Sequence, residues 1–182
     1  MATFVPIKRK RGSKMSANKL QEEIGSLFKN ITLKIAKNNR IFILAQKEQI
    51  LDILSFLKNK GFDHLELISC VDWIKKNQFE IVYILTSYLL EDEKSRIHLI
   101  LKTRVSRENP EIMSALPIFE NAEFYEREIY ELFGVNFDGN NRLIPLFLDR
   151  EYKIPPFRKD FDTREYVKNL YDSILPVEDK NK

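Results

Sequence analysis

Residues that carry redox, metal or nucleophilic chemistry are nearly missing from this sequence. One cysteine, Cys70, and two histidines, His64 and His98, occur in 182 residues. A lone thiol closes no internal disulfide, and one or two scattered ligands hold neither zinc nor an iron–sulfur cluster. Cys70 sits beside Val71 and Asp72 and reads as a small buried hydrophobe. Both histidines fall on predicted strands with no nucleophile near in sequence, which argues against a general base. The five glycines form no Gly-rich phosphate cradle, and no Gly-x-Ser-x-Gly elbow occurs. Long apolar runs are missing too. The longest, Ile81–Leu90, is interrupted by Thr86 and Ser87 and falls far short of a bilayer span. Basic residues open the sequence without an apolar stretch behind them, so a signal peptide is not expected. A net charge of +3 is too small to make the whole chain a nucleic-acid binder.

What is present is the composition of an ordinary globular domain, 43% hydrophobic and 31% charged. The charge is unevenly placed. Lys8, Arg9, Lys10, Arg11, Lys14 and Lys19 face no acid within the first nineteen residues. Residues 1–17 are therefore expected to be a solvated basic tail, with docking on acidic protein or lipid head groups as the alternative.

Residues 18–135 carry the signals of an α+β core. Asn18 is placed to cap a helix over Lys19–Lys29, with Leu20, Ile24, Leu27 and Phe28 on one face. Thr32–Ala36 and Arg40–Leu44 alternate around Lys37-Asn38-Asn39, a hairpin signal. Gln46–Lys60 repeats Ile50, Ile53, Leu54 and Leu57 at helical spacing and stops at Gly61. His64–Trp73, Phe79–Leu89 and Arg96–Val105 then read as three strands joined by short polar turns. The fold expected is a mixed, largely antiparallel sheet, hairpin plus three-strand meander, covered by helices on one face. A short helical piece is expected from Pro110 to Leu116. Asn121 is placed to cap a helix over Ala122–Phe133, which Gly134 ends. Glu123–Arg127 and Arg127–Glu131 stand at i,i+4 on it.

Residues 136–182 lose regular periodicity. Pro145, Pro155 and Pro156 predict an extended, irregular arm, with one short strand over Leu143–Leu148 and a last helix over Tyr166–Leu175. Glu128 and Glu131 can share a helix face, and Asp160-Phe161-Asp162 brings two more acids close. The interleaved Arg127, Arg158 and Lys159 favour ion-paired surface over a cation site at both places. A long aromatic-rich segment of this kind suits lying along a partner protein. The stretch Glu126–Phe161 is thus expected to be a docking surface.

The same stretch resembles a known family. It contains Glu126-Arg127-Glu128-Ile129-Tyr130-Glu131-Leu132-Phe133-Gly134-Val135, continues through Phe137-Asp138-Gly139, and ends on Pro156-Phe157-Arg158-Lys159-Asp160-Phe161. Upstream stand Cys70-Val71-Asp72-Trp73 and Phe79-Glu80-Ile81-Val82-Tyr83. In this order the pieces resemble the 30 kDa (C-type) subunit of respiratory complex I and its relatives in membrane-bound nickel–iron hydrogenase complexes, over residues 40–165. Gly139-Asn140-Asn141 and Tyr152-Lys153-Ile154-Pro155 depart from the family's usual residues. The resemblance implies a non-catalytic scaffold subunit that binds no cofactor itself, while partner subunits carry iron–sulfur clusters. It implies packing against a large subunit beside a cluster-bearing small subunit, peripheral to the cell membrane on its cytoplasmic side, with no nucleic acid. The interface expected on this basis comprises Glu126, Arg127, Glu128, Tyr130, Phe133, Gly134, Phe137 and Gly139, with Pro156, Arg158, Lys159 and Asp160. The alternatives are the equivalent hydrogenase subunit and a basic-tailed nucleic-acid-binding protein.

Overall fold

A computed structural model describes residues 17–36, 39–87, 96–148 and 152–172. Five strands form the main sheet: β1 (Thr32–Ala36), β2 (Arg40–Leu44), β3 (His64–Trp73), β4 (Gln78–Thr86) and β5 (His98–Ser106). Their spatial order is β1-β2-β5-β4-β3. The β1–β2 hairpin and the β3–β4–β5 meander are each antiparallel, and β2 joins β5 in parallel. The expected α+β architecture is present, with the hairpin seated against the last strand of the meander.

One face of the sheet makes the core. Ile41, Ile43, Leu99, Leu101, Phe79, Ile81 and Tyr83 are all fully buried. Helix α1 (Ala17–Leu27) contributes Leu20 and Ile24, and α2 (Ile50–Asn59) contributes Ile50, Ile53, Leu54 and Leu57. Helix α3 (Ala122–Phe133) adds Ala122, Ile129 and Leu132. Burying an aliphatic side chain of this size stabilises by about 1.5–3 kcal/mol, so this single layer of helix on sheet dominates stability.

Several local expectations are corrected. Asn18 lies inside α1, and Leu27 is exposed because the inward stripe runs Leu20, Ile24, Phe28 and leaves Leu27 to its side. The first turn expected of α2 is a 3-10 turn, Lys47–Gln49. Val71 points outward while Cys70 is buried, as strand alternation requires. The helical piece expected after Pro110 is a strand, β6 (Glu111–Met113). It pairs in parallel with an unexpected β7 (Asn136–Asp138). Two three-residue strands give too few alternations to register as a period, and their pairing encloses all of α3. Leu143–Leu148 forms no strand, and the last helix, α4 (Thr163–Asp172), begins three residues before the expected start, while the expected end at residues 173–175 lies outside the described residues. The turn at Lys37-Asn38, the end of the Phe79–Leu89 strand and the turn after it, and residues 1–16 lie outside the described residues.

Candidate docking site

Helix α3 and the arm that follows it meet along a line of charge contacts. Glu123, Arg127 and Glu131 stand at i, i+4 and i+8 and so share one helix face. The expected pairs within the helix give way to contacts with the arm. Arg142 Nη1 lies 3.4 Å from Glu123. The Arg127 guanidinium donates to the carbonyls of Ile144 and Pro145. Glu131 accepts the N–H groups of Leu146, Phe147 and Leu148, the last at 2.6 Å. A backbone that has left its ladder must satisfy its N–H and C=O groups somewhere, and here the helix supplies the partners.

One turn to the side, Glu126 points inward and is fully buried. Its Oε2 accepts from Ser114 Oγ at 2.7 Å and Asn140 Nδ2 at 2.9 Å, and its Oε1 accepts from the Ala115 N–H at 2.7 Å. These donors flank β6 and β7, so the carboxylate ties the small sheet to α3. Burial pushes its pKa above the ordinary glutamate value, against the three hydrogen bonds.

The C-terminus of α3 is closed by the second half of the signature. Gly134 takes φ +74°, the left-handed cap that glycine suits. The Phe157 N–H donates to Leu132 O, and Arg158 Nε donates to Phe133 O at 2.7 Å. Arg158 thus places a cation at a helix C-terminus, where the dipole favours it. Its guanidinium lies 5.1 Å from the Phe79 ring centre, and that of Arg107 lies 5.4 Å from the same ring. Burial, then the neighbouring Arg107, lower the Arg158 pKa, while Asp160 and Asp72 oppose this.

Asp72 completes the fastening. Only 3% exposed, it accepts from Arg107 Nη2 at 3.2 Å and from the Lys159 N–H at 2.9 Å. Arg107 Nε lies 3.0 Å from its other oxygen, an ion pair outside hydrogen-bond alignment. Arg107 also reaches Asp160 at 2.7 Å. Farther on, Tyr152, Phe161 and Tyr166 pack ring to ring and seat α4 on the arm.

The structure therefore divides the residues expected to face a partner. Glu126 and Phe137 (1% exposed) lie in the interior and present no surface. Their burial follows from the β6–β7 pairing, which no local sequence signal announced. The charged groups of Arg127, Arg158 and Asp160, and the backbone of Lys159, meet this same chain. Phe133 packs between the rings of Phe79 and Phe157. Tyr130 and Gly139 remain outward, Pro156 is half-buried, and Glu128 lines a groove of about 290 Å³ with Leu67, Cys70 and Phe157.

Among polar side chains such as Arg142, Lys153 and Lys159, the arm also turns several large apolar ones outward, and no motif marks most of those. Phe147 is 69% exposed, with Ile144 and Phe157 at 59%. Beside them a concavity of about 540 Å³ opens between α3 and the arm, lined by Tyr130, Leu143, Pro145, Leu148 and Pro155 among others. The signal that could have found them is apolar residues inside a proline-rich, aperiodic segment, where no core can form. Among the described residues, no group of three or more His, Cys, Asp or Glu could hold a metal ion, and no helix is long and apolar enough to cross a membrane.

An α+β domain fastened by its own C-terminal arm, with that arm's apolar side chains facing out, is the class this geometry defines. The chain belongs to the family described as "Respiratory-chain NADH dehydrogenase, 30 Kd subunit", which matches residues 43–167. It is 34% identical over 165 residues to the C-type subunit of NADH-quinone oxidoreductase from Rickettsia prowazekii, covering 88% of this chain and 81% of that one. It is 37% identical over 125 residues to the C-type subunit of F(420)H(2) dehydrogenase from Methanosarcina mazei, covering 68% and 76%. Among solved structures, a chain of the membrane-bound sulfane sulfur reductase, an archaeal respiratory membrane complex, superposes with a TM-score of 0.75 at 29% identity. That match covers 91% of this chain and 97% of the other. A trypsin-resistant fragment of Nqo5 shares the fold, with a TM-score of 0.58 at 23% identity over 68% of this chain and 96% of the fragment.

Proposed function

We propose that this chain is a scaffold subunit in the peripheral part of a complex I-like, ion-translocating oxidoreductase, with no cofactor and no catalytic site of its own. It braces a large subunit beside a cluster-bearing small subunit, on the cytoplasmic side of the membrane. The observation that carries this reading is the division of labour in the arm. Several charged groups along it, those of Arg127, Arg158 and Asp160 among them, are engaged within the chain, while large apolar side chains such as Phe147, Ile144 and Phe157 stand exposed near a concavity. Exposed apolar groups held on a fastened backbone suit a permanent protein interface, because little ordering remains to be done on binding. The relatives support a role independent of substrate. Their names refer to NADH and quinone, to F420H2 and to sulfane sulfur. A brace tolerates such variety, whereas a substrate site would have to change with it.

The test is the double variant Phe147→Ser/Phe157→Ser, expressed with the large and small subunits of its own complex. The variant should remain folded, with a small loss of melting temperature from the Phe157–Phe133 contact, and lose co-purification of the large subunit. Full-yield co-purification would sink the reading. A second reading, the equivalent subunit of a hydrogenase-type or sulfur-reducing complex, draws on the 0.75 superposition with the archaeal reductase. Identifying the co-purified large subunit, with or without nickel ligands, separates the two.

A further inference from the structure

The sheet has a second face, and it has the wrong composition for water. An antiparallel sheet with helices on one side usually turns polar residues out on the other. Here the strand register lines up Phe42, Ile100, Ile84 and Leu67 across β2, β5, β4 and β3. The next outward row contains Leu44, Lys102, Val82 and Ser69. Val71 and Trp73 extend the apolar surface along β3, at 38% and 41% exposure. Helices α1, α2 and α3 all pack in the core on the opposite face. A contiguous apolar surface of this kind marks an interaction site.

The charge on this face is one-sided. Lys34 and Arg40 flank the apolar rows at β1 and β2, and Lys102 and Arg104 stand on β5. Against them, Glu80 is buried under Lys102 (2.9 Å) and Arg104 (3.4 Å), and Glu66 sits at the edge near His98. Two bases share one acid at the centre, so the face keeps an excess of positive charge.

We propose that this open face docks a helix of a partner subunit carrying an apolar stripe with an acidic flank. The stripe lies along β3 and β4, over Leu67, Val71, Val82 and Ile84, and the acids meet Lys102 and Arg104. The run from Gln78 to Ile84 is roughly 20 Å long at the strand rise. That accommodates about three to four turns of helix. The low, branched side chains of Val82 and Ile84, with Ile100 (8% exposed) flooring the space between Phe42 and Ile84, suit the ridges of a helix. The face is flat, and its central apolar side chains are low and largely covered by their neighbours, which suits a helix laid across it better than insertion among lipid chains; the vesicle arm of the test separates the two. Leu67 shares a groove with Phe157 of the arm, but Val82 and Ile84 on β4 do not line the concavity between α3 and the arm, so Val82→Glu and Phe147→Ser separate the two surfaces.

Fluorescence anisotropy with the full chain tests it. The probes are two synthetic helical peptides with the same leucine stripe, one flanked by glutamates and one by lysines, together with phosphatidylserine vesicles. The acidic peptide should bind, and salt should weaken it. Val82→Glu should weaken binding at least tenfold, and Leu67→Glu, on an edge strand where folding is less at risk, should do the same. Phe147→Ser should leave binding unchanged. No binding, equal binding of the lysine peptide, preference for the vesicles, or loss of binding in Phe147→Ser would each overturn the proposal.

Discussion

Asp72 and Glu126 are both carboxylates taken almost wholly out of water, and their surroundings differ. Asp72 meets a guanidinium and a backbone N–H, and it fastens the far end of the arm to the sheet. Glu126 meets only neutral donors, and it fastens the small β6–β7 sheet to α3. A buried ion pair holds two charges in place, so removing one strands the other. A buried acid among neutral donors has no opposite charge, so its own ionisation becomes the weak point. The arm clasp should therefore be sensitive to losing its acid, and the α3 knot should be sensitive to pH as well.

The largest effect expected is that of Asp72→Ala. It leaves the Arg107 side chain, 11% exposed, with the half-exposed Asp160 as its counter-ion among the described residues. The loss should be about 3–5 kcal/mol, toward the low end because Asp160 remains. Denaturant unfolding measures it, and hydrogen exchange should show faster exchange at residues 157–161. Unchanged protection there would mean that the clasp does not hold the arm.

Next comes Glu126→Ala, which removes the acceptor of the Ser114 hydroxyl, the Ala115 N–H and the Asn140 amide. Water entering the vacated space re-pairs part of these donors, so the loss should be about 1–3 kcal/mol in all. The pH dependence extends the contrast with Asp72. Because burial raises the Glu126 pKa, the folded chain binds that proton more tightly than the unfolded chain. Its stabilising contribution is complete below the unfolded glutamate pKa and is lost as pH rises through the raised folded value. Glu126→Gln lacks this component. The stability of wild type relative to Glu126→Gln should rise as pH falls through that window, read as melting temperatures over a pH series. A gap that stays flat would mean that Glu126 does not titrate differently in the two states.

Gly134→Ala should be milder. The backbone there is left-handed at φ +74°, and an added Cβ would lie 2.9 Å from Arg158 Nη2 and 3.0 Å from Pro155 Cγ. The conformation alone costs about 1–2 kcal/mol, and Arg158 must shift from the helix end. A melting temperature equal to wild type would show that the arm yields freely at this point. The smallest stability effect belongs to Phe147→Ser, within about 0.5 kcal/mol, since the ring is exposed. Its effect should instead be on association with the large subunit, seen as a faster off-rate in surface-immobilised binding.

The strands and helices of the core were largely legible because each is long enough to show its period. Helix α3 was legible to the residue, from Ala122 to the Gly134 cap. The β6–β7 pair was not, since three-residue strands leave no alternation to read. The candidate site was legible as a segment and not as a set of side chains. The motif residues drew attention by their charge, yet the charged groups of Glu126, Arg127, Arg158 and Asp160 meet the chain itself. Phe147 and Ile144, with no motif around them, stand at the exposed surface, joined there by Phe157 and Tyr130 of the motif.

The α+β alternation, the end of α3 at a glycine and the family membership carried by the signature segments are all encoded locally. A few residues in a row suffice for each of them. Which acid of the Glu126-Arg127-Glu128 triplet turns inward is settled only by the folded chain. Helical geometry puts Glu126 and Glu128 on different faces, but only the β6–β7 pair and the returning arm say which face is inside. The pairing of β2 with β5, and the meeting of Asp72 with residue 159, are settled in the same way. Contacts between segments tens of residues apart leave no periodic trace in either partner, so they exist only once the chain has closed on itself.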